Sequence, residues 1–272
     1  VIGPDGRPDP AADRPNQTAG PIAIAGVKPG EVIAVRIESI EPVGCGRAQA
    51  VVYRPDPPSL VGRAGRAGRK RRGNSRQLEF LDGLRVPFAP SLGCLGVAPR
   101  LACDATTNDT CGPHGGNIDC RDWAPGATAF FRARVTGANL SVGDVHWAMG
   151  DGEIGGQGIE GAADVVLTVT RPARIQRAGL EWPWLIRDGF AMTLGGHPDF
   201  KTAQRIAYEE MMTLGRTLFN LERSELQARI ACVGELRVCQ ACCPVITVRI
   251  AVPLRLFAGA DAIFSSVPAS KA

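Results

Sequence analysis

The chain has 272 residues, a formal net charge of +4, 44% hydrophobic and 21% charged residues. This is the balance of a globular domain with chain enough for a buried core, and it excludes wholesale disorder. A charge of +4 is too mild to imply a polyanionic partner by itself. No apolar run approaches the roughly 18 residues of a membrane-spanning helix. Val1–Gly6 shows no basic-then-apolar leader and the sequence opens without Met, so the chain reads as processed or truncated. Nine cysteines cannot all pair, and with no export signal the expectation is reduced thiols in a cytoplasmic setting.

Residues 1–20 are rich in Pro, Asp and Gly and read as an extended N-terminal arm. Pro21–Ile24 reads as a short strand, and Lys28-Pro29-Gly30-Glu31 as a turn. Over 32–40 apolar residues alternate, with Ile33, Val35 and Ile37 on one face and Val32, Arg36 and Glu38 on the other. That period predicts a half-buried strand. Residues 63–76 carry Arg63, Arg66, Arg69, Lys70, Arg71, Arg72 and Arg76 among Gly, Ala, Ser and Asn, and read as a surface loop. No aromatic residues interleave with these arginines, so a solvated loop is favoured over a nucleic-acid contact. Between 83 and 126 Gly, Pro, Asp and Cys dominate, which predicts short strands and long loops. Strands follow over 127–135, 163–170 and 245–252.

Helix appears late. Phe200, Ala203, Ile206, Ala207, Met211, Leu214 and Leu218 share one face, with Asp199 as the N-cap. A second helix is predicted from Ser224, with Gln227 completing a capping box and Leu226, Ile230 and Val233 inward. Many strands, then two helices, then a strand indicate a mainly β (α+β) domain rather than βαβ units. The body is placed at 21–257 and a C-terminal tail at 258–272.

The densest polar cluster is Gly143-Asp144-Val145-His146-Trp147-Ala148-Met149-Gly150-Asp151-Gly152-Glu153, with Glu160 seven residues on. Asp, Glu and neutral His are ligands for a zinc-like divalent ion, and the glycines allow close backbone approach. The spacing is not helical, so a loop or strand-turn must converge them; a Gly-rich turn with solvated acids is the alternative. Upstream, Gly112-Pro113-His114-Gly115-Gly116-Asn117-Ile118-Asp119-Cys120 is a second Gly-rich segment, whose Asn can hold an amide or carbonyl. His114 reads as pocket-adjacent and His197 as a loop residue near a helix start. Cys239, Cys242 and Cys243 are weak evidence for zinc without a second pair, and Cys239 reads as a buried hydrophobe. Cys120, next to Asp119, is a remote candidate nucleophile.

These segments, with Gly20-Pro21-Ile22, Val27-Lys28-Pro29-Gly30-Glu31 and Val233-Gly234-Glu235-Leu236-Arg237-Val238, resemble the acetamidase/formamidase family over most of 20–257, in the same order. The resemblance implies a sandwich-like β core with two helices in the C-terminal half. It implies hydrolysis of a short-chain amide such as formamide or acetamide to a carboxylate and ammonia. It also implies a divalent metal (zinc, with calcium as a possible second ion) and a homo-oligomer, with neither membrane nor nucleic acid as partner. Asn117, Asp119, Asp144, His146, Asp151, Glu153 and Glu160 match motif residues. The metal is expected on His146 with Asp119 or Asp151. Glu153 or Glu160 is the expected proton shuttle, Asn117 or a 115–118 backbone N–H the oxyanion donor, and Asp144 a further catalytic group. A non-catalytic scaffold using the Arg-rich segment, or a hydrolase of a longer amide or carbamate, are the alternatives.

Overall fold

The computed structural model describes residues 16, 18–43, 46–55, 58–72, 75–79, 85–100 and 110–264. In chain order the elements are β1 Thr18–Ile22, β2 Val32–Pro42, β3 Gly46–Pro55, β4 Pro58–Arg72, β5 Ser75–Glu79, β6 Arg85–Pro87 and β7 Ser91–Gly96. Next come β8 Cys111–Gly112, β9 Gly115–Asn117, β10 Thr128–Arg132, β11 Leu140–Ala148, β12 Ile159–Glu160 and β13 Ala163–Thr170. Then follow β14 Trp184–Arg187, β15 Phe190–His197, α1 Phe200–Phe219, α2 Arg223–Val233, β16 Glu235–Gln240, β17 Ile246–Pro253 and α3 Ala260–Phe264.

Among the described residues the strands form two antiparallel sheets. The first runs β6-β5-β4-β3-β12-β11-β7-β9-β8, with β1 also paired to β11; the second runs β13-β2-β10-β14-β15-β17-β16. The sheets face each other across one core, where Ile33, Val35, Phe131 and Leu194 of the second sheet meet Leu92, Leu95, Leu140 and Val142 of the first. The other face of the second sheet is roofed by helices. Val32, Phe130, Trp184 and Val252 pack there against Ala203, Ala207, Met211 and Leu218, and the Phe130 and Trp184 rings stack with centroids 3.8 Å apart. The mainly β, sandwich-like expectation is met, with a third layer added.

That layer corrects the reading of 32–40. The strand is buried on both faces, because α1 and its neighbours cover the side that carries Val32. Arg36 is tolerated inside it because it donates to the Gly126 carbonyl (3.0 Å) and to Thr128 Oγ1 (3.4 Å). The Arg-rich segment is also corrected. Residues 63–72 run within β4 and 75–76 within β5; 63–67 pair with β3, and 68–72 pair with β5. Backbone pairing is indifferent to side-chain charge. The 258–272 tail is partly folded: α3 buries Ile263 and Phe264, while 265–272 lie outside the described residues, as do 1–15 of the expected arm.

Helix α1 starts as the sequence indicates, with Asp199 Oδ1 accepting from the Thr202 N–H at 2.8 Å. The capping box of α2 is absent. Glu222 takes the cap position without a side-chain bond, and Ser224 is already inside the helix. The tight link through Asn220 to Glu222 sets that start one residue early, and the Arg223–Glu209 ion pair at 2.7 Å steadies it from outside. Leu226 is buried as expected.

Candidate metal-assisted hydrolase site

The site lies where the inter-sheet core of Leu140 and Val142 gives way to polar residues on the same face of β11. Period two places Asp144 and His146 two and four residues past Val142 on that face. Glu160 is brought in by pairing, since His146 and Glu160 are Cα partners of β11 and β12. Of the loop and the strand-turn that the sequence left open, strand pairing does most of the converging. Asp119 follows β9, and Glu153 sits in the turn after β11.

His146 is the hub. Its Nε2 lies 3.1 Å from Glu160 Oε1, 3.5 Å from Glu153 Oε1 and 3.9 Å from Asp144 Oδ1. Asp119, Asp144 and His146 offer ligand atoms within 4.8 Å of one another, as do His146, Glu153 and Glu160. Asp119 is 1% exposed, and neither of its carboxylate oxygens meets a hydrogen-bond donor. Asp119, Asp144 and Glu153 all take left-handed backbone conformations (φ 54°, 52° and 44°), uncommon for residues with side chains and concentrated at functional sites.

Charge is crowded here. Burial pushes the Asp144 carboxyl up to about 7 against the pull of His146. Burial, then the Glu153 and Asp144 charges, hold Asp119 well above the carboxylate range. Burial also raises Glu153. For His146 burial acts downward, but the carboxylates, Glu160 foremost, outweigh it and raise the imidazole to about 10.

Asn117 is buried on β9. Its Oδ1 accepts from Cys94 Sγ at 3.1 Å and from Asn16 Nδ2 at 3.3 Å, which leaves Nδ2 to act as a donor. Asn117, Asp119, Asp144, His146, Glu153 and Glu160 all line one cleft of about 790 Å³, together with Ile22, Val142, Val165 and Leu167. Asp151 does not join them. It is 39% exposed, and its Oδ1 accepts from Arg249 Nη2 at 2.7 Å. The clusters that could hold a metal include Asp144 and not Asp151. His114 is buried in the β8–β9 turn and is not part of the cleft wall, while His197 Nδ1 accepts from the Asp199 N–H at the start of α1. Cys239 is a fully buried strand residue; Cys242 Sγ is 3.3 Å from Glu153 Oε2 and Cys243 lines the cleft.

Sequence reasoning missed Gly93. A Cβ placed there would sit 2.5 Å from Asp119 Oδ1 and 2.8 Å from His146 Cε1, and closer still to Asp144 Oδ2. The space between the three candidate ligands is open because position 93 has no side chain. Its only sequence signal was a glycine inside a strand.

Buried carboxylate oxygens without donors, one imidazole nitrogen aimed at them and a cradle that a methyl group would fill fit an oxygen- and nitrogen-ligated divalent cation. The sequence model of the acetamidase/formamidase family matches residues 102–188, a span that holds the candidate site from Asn117 to Glu160. A 67-residue stretch is 36% identical to a Schizosaccharomyces pombe protein that bears the name formamidase. The stretch is 25% of this chain, and the chain spans only 16% of that relative's length. The acetamidase of Yersinia enterocolitica superposes with a TM-score of 0.78 at 27% identity, over 89% of this chain and 75% of that one. The acetamidase of Bacillus halodurans does so at 0.76 and 29%, over 88% and 79%. No helix among the described residues is long and apolar enough to cross a membrane. By motif over residues 102–188 and by fold over nearly nine-tenths of its length, the chain resembles the acetamidase/formamidase family.

Proposed function

We propose that the protein hydrolyses the C–N bond of a small aliphatic amide, formamide or acetamide, to a carboxylate and ammonia, with a divalent metal, zinc first, held by Asp119, Asp144 and His146. The observation that carries this reading is the donor-free, buried Asp119 carboxylate facing Asp144 and His146. When bound, such an ion supplies Lewis-acid polarisation of a carbonyl and acidifies water. The chain's own groups do the rest. Asn117 Nδ2 donates to the oxygen that gains charge as the carbonyl carbon becomes tetrahedral. Glu153, whose carboxyl burial raises above its ordinary value and so brings closer to the proton affinity a shuttle needs, takes the proton that water loses and delivers it to the departing nitrogen, because an amide anion is too basic to leave unprotonated. Glu160 fixes the His146 ring across the β11–β12 ladder. The free thiols among the described cysteines agree with a reducing, cytoplasmic setting, and a homo-oligomer belongs to the same reading by resemblance.

One observation favours a longer amide. The cleft that holds the polar cluster is also lined by Ile22, Val142, Val165 and Leu167, apolar side chains suited to an acyl chain. Ammonia release from formamide, acetamide, butyramide and hexanamide, with and without chelation and zinc re-addition, separates the readings. Chelator-sensitive turnover, abolished in His146→Ala, is expected. A wall that holds an acyl chain raises kcat/KM about fourfold per methylene. Turnover unaffected by chelation or by His146→Ala refutes the metal reading, and no turnover on any amide leaves the scaffold alternative.

A further inference from the structure

Arg249 lies behind the site on β17 and is 1% exposed, a large cation buried in a position that composition gives no reason to expect. Its three nitrogens go three ways: Nε donates to Asp122 Oδ2 at 2.6 Å, Nη2 to Asp151 Oδ1 at 2.7 Å and Nη1 to the Val238 carbonyl at 3.1 Å. Asp122 stands three residues after Asp119, and Asp151 two residues before Glu153. The guanidinium therefore ties together the two turns that present those acids, one from each side of the cleft. Both acids sit in left-handed backbone, a conformation that residues with side chains hold only where the surroundings support it.

The neighbouring residues of β16 and β17 reinforce the tie. The Gly152 N–H donates to the Val238 carbonyl at 3.1 Å and the Ala241 N–H to the Gly152 carbonyl at 2.8 Å, which docks the Asp151–Glu153 turn on the sheet edge. Gln240 Nε2 donates to the Asn117 carbonyl at 2.8 Å and Thr247 Oγ1 to the Ile118 carbonyl at 2.7 Å, which fixes the two residues that lead into Asp119. The planar fork holds two carboxylates at a fixed separation and angle, whereas a lysine ammonium is a compact point charge that sets neither.

We propose that Arg249 is a positioning residue that holds Asp119 and Glu153 in register by clamping Asp122 and Asp151. The proposal rests on the metal-assisted reading above. It gives Asp151 a supporting place rather than a ligand's.

The test uses Co²⁺ as the probe, because its visible spectrum reports ligand geometry independently of turnover. Purified wild type, Asp151→Asn, Arg249→Lys and the double variant are titrated with Co²⁺ alone. Thermal melts are recorded for each, and kcat and KM on the best amide. Supporting residues around metal ligands are worth about 10- to 100-fold in affinity. We expect each single variant to weaken Co²⁺ binding about 10-fold with a changed spectrum, and the double variant to be no weaker than Arg249→Lys, because both break one clamp. Leu226→Ala, buried in α2 far from the clamp, is the control; it should lower the melting temperature and leave Co²⁺ affinity unchanged. Single variants within twofold of wild type overturn the proposal. So do losses that simply add, as they would if Asp151 were itself a ligand, and so does an equal loss of affinity in Leu226→Ala. If Arg249→Lys does not fold, Asp151→Asn, whose partner keeps Asp122, decides against the same control. Wild type that binds no Co²⁺ removes the metal reading and the clamp together. Wild type that binds Co²⁺ but turns over no amide removes only the amidase reading.

Discussion

Gly93→Ala is the sharpest probe of the site, because it adds one methyl group to the space between the three candidate ligands. Gly93 is in β7 at a φ that any residue adopts, so the backbone does not object. In a strand interior, alanine for glycine is worth roughly 0.5–1 kcal/mol in favour of folding. The new Cβ is 2.5 Å from Asp119 Oδ1, 0.9 Å short of the 3.4 Å at which ordinary contact begins, and Asp144 is nearer still. Both carboxylates have to withdraw by close to 1 Å. The ladder blocks the other way out: the Gly93 carbonyl accepts from the N–H groups of Ile118 and Asp119, at 3.2 and 3.1 Å.

Metal ligands tolerate about 0.2 Å of misplacement, and a 1 Å error in reacting geometry costs on the order of 100-fold in rate. Gly93→Ala is therefore expected to lose at least 100-fold in zinc affinity and in kcat/KM while its metal-free melting temperature stays within a few degrees of wild type. Calorimetric zinc titration, ammonia release and a thermal melt in chelator make the three measurements. Full zinc affinity in a folded Gly93→Ala protein would falsify the placement of the metal between Asp119, Asp144 and His146.

Two further outcomes follow from the described packing and charge. Asp144 and Glu210, each raised to about 7 chiefly by burial, hold protons in the folded chain that the unfolded chain releases near pH 4. The stability they lend below pH 4 is lost as pH climbs to 7, on the order of 2 kcal/mol each, so chelated protein should melt lower at pH 8 than at pH 5; a flat or rising profile contradicts this. Trp184→Ala removes the ring stacked on Phe130 beneath the helical layer and should cost about 3–5 kcal/mol, roughly 10 °C in melting temperature, by calorimetry. A change under 1 kcal/mol would mean that α1 to α3 do not depend on that contact.

The long elements were legible because each carries a full period of its own. The alternation in β2, β13 and β17 and the stripe of α1 show in the sequence alone. The elements that shape the site do not. Strands β8, β9 and β12 are two or three residues long, too short for any periodicity, and exist because neighbours supply their hydrogen bonds. The charge of β4 hid a ladder that depends on backbone alone. At the site, residue type picked out Asp119, His146, Glu153 and Glu160, which share one cleft, but it did not give direction. Asp144 and Asp151 are both acids beside glycine; the register of β11 turns the first toward His146, and the docking of the next turn on β16 turns the second toward Arg249. Gly93 and Arg249 lie 26 residues before Asp119 and 89 after Glu160, where no local pattern could tie them to the cluster.

The crowding of acids around His146 also fixes how the site must respond to a cation. Asp119, Asp144 and Glu153 cannot all stay ionised in a buried space with one imidazolium; isolated buried charges are costly, and the shared excess is relieved by holding protons. That is why Asp144 rises to about 7, Asp119 goes well up and His146 reaches about 10. A divalent ion takes over the work of those protons, since its ligands must be deprotonated to bind it. Zinc affinity should therefore climb with pH between 5 and 8, opposite to the stability of chelated protein, and binding at pH 6.5 should release at least one proton. Calorimetry in two buffers of different ionisation enthalpy counts that proton directly. Zinc binding with no proton release would mean that the ion sits on carboxylates already free of protons, away from Asp144 and His146.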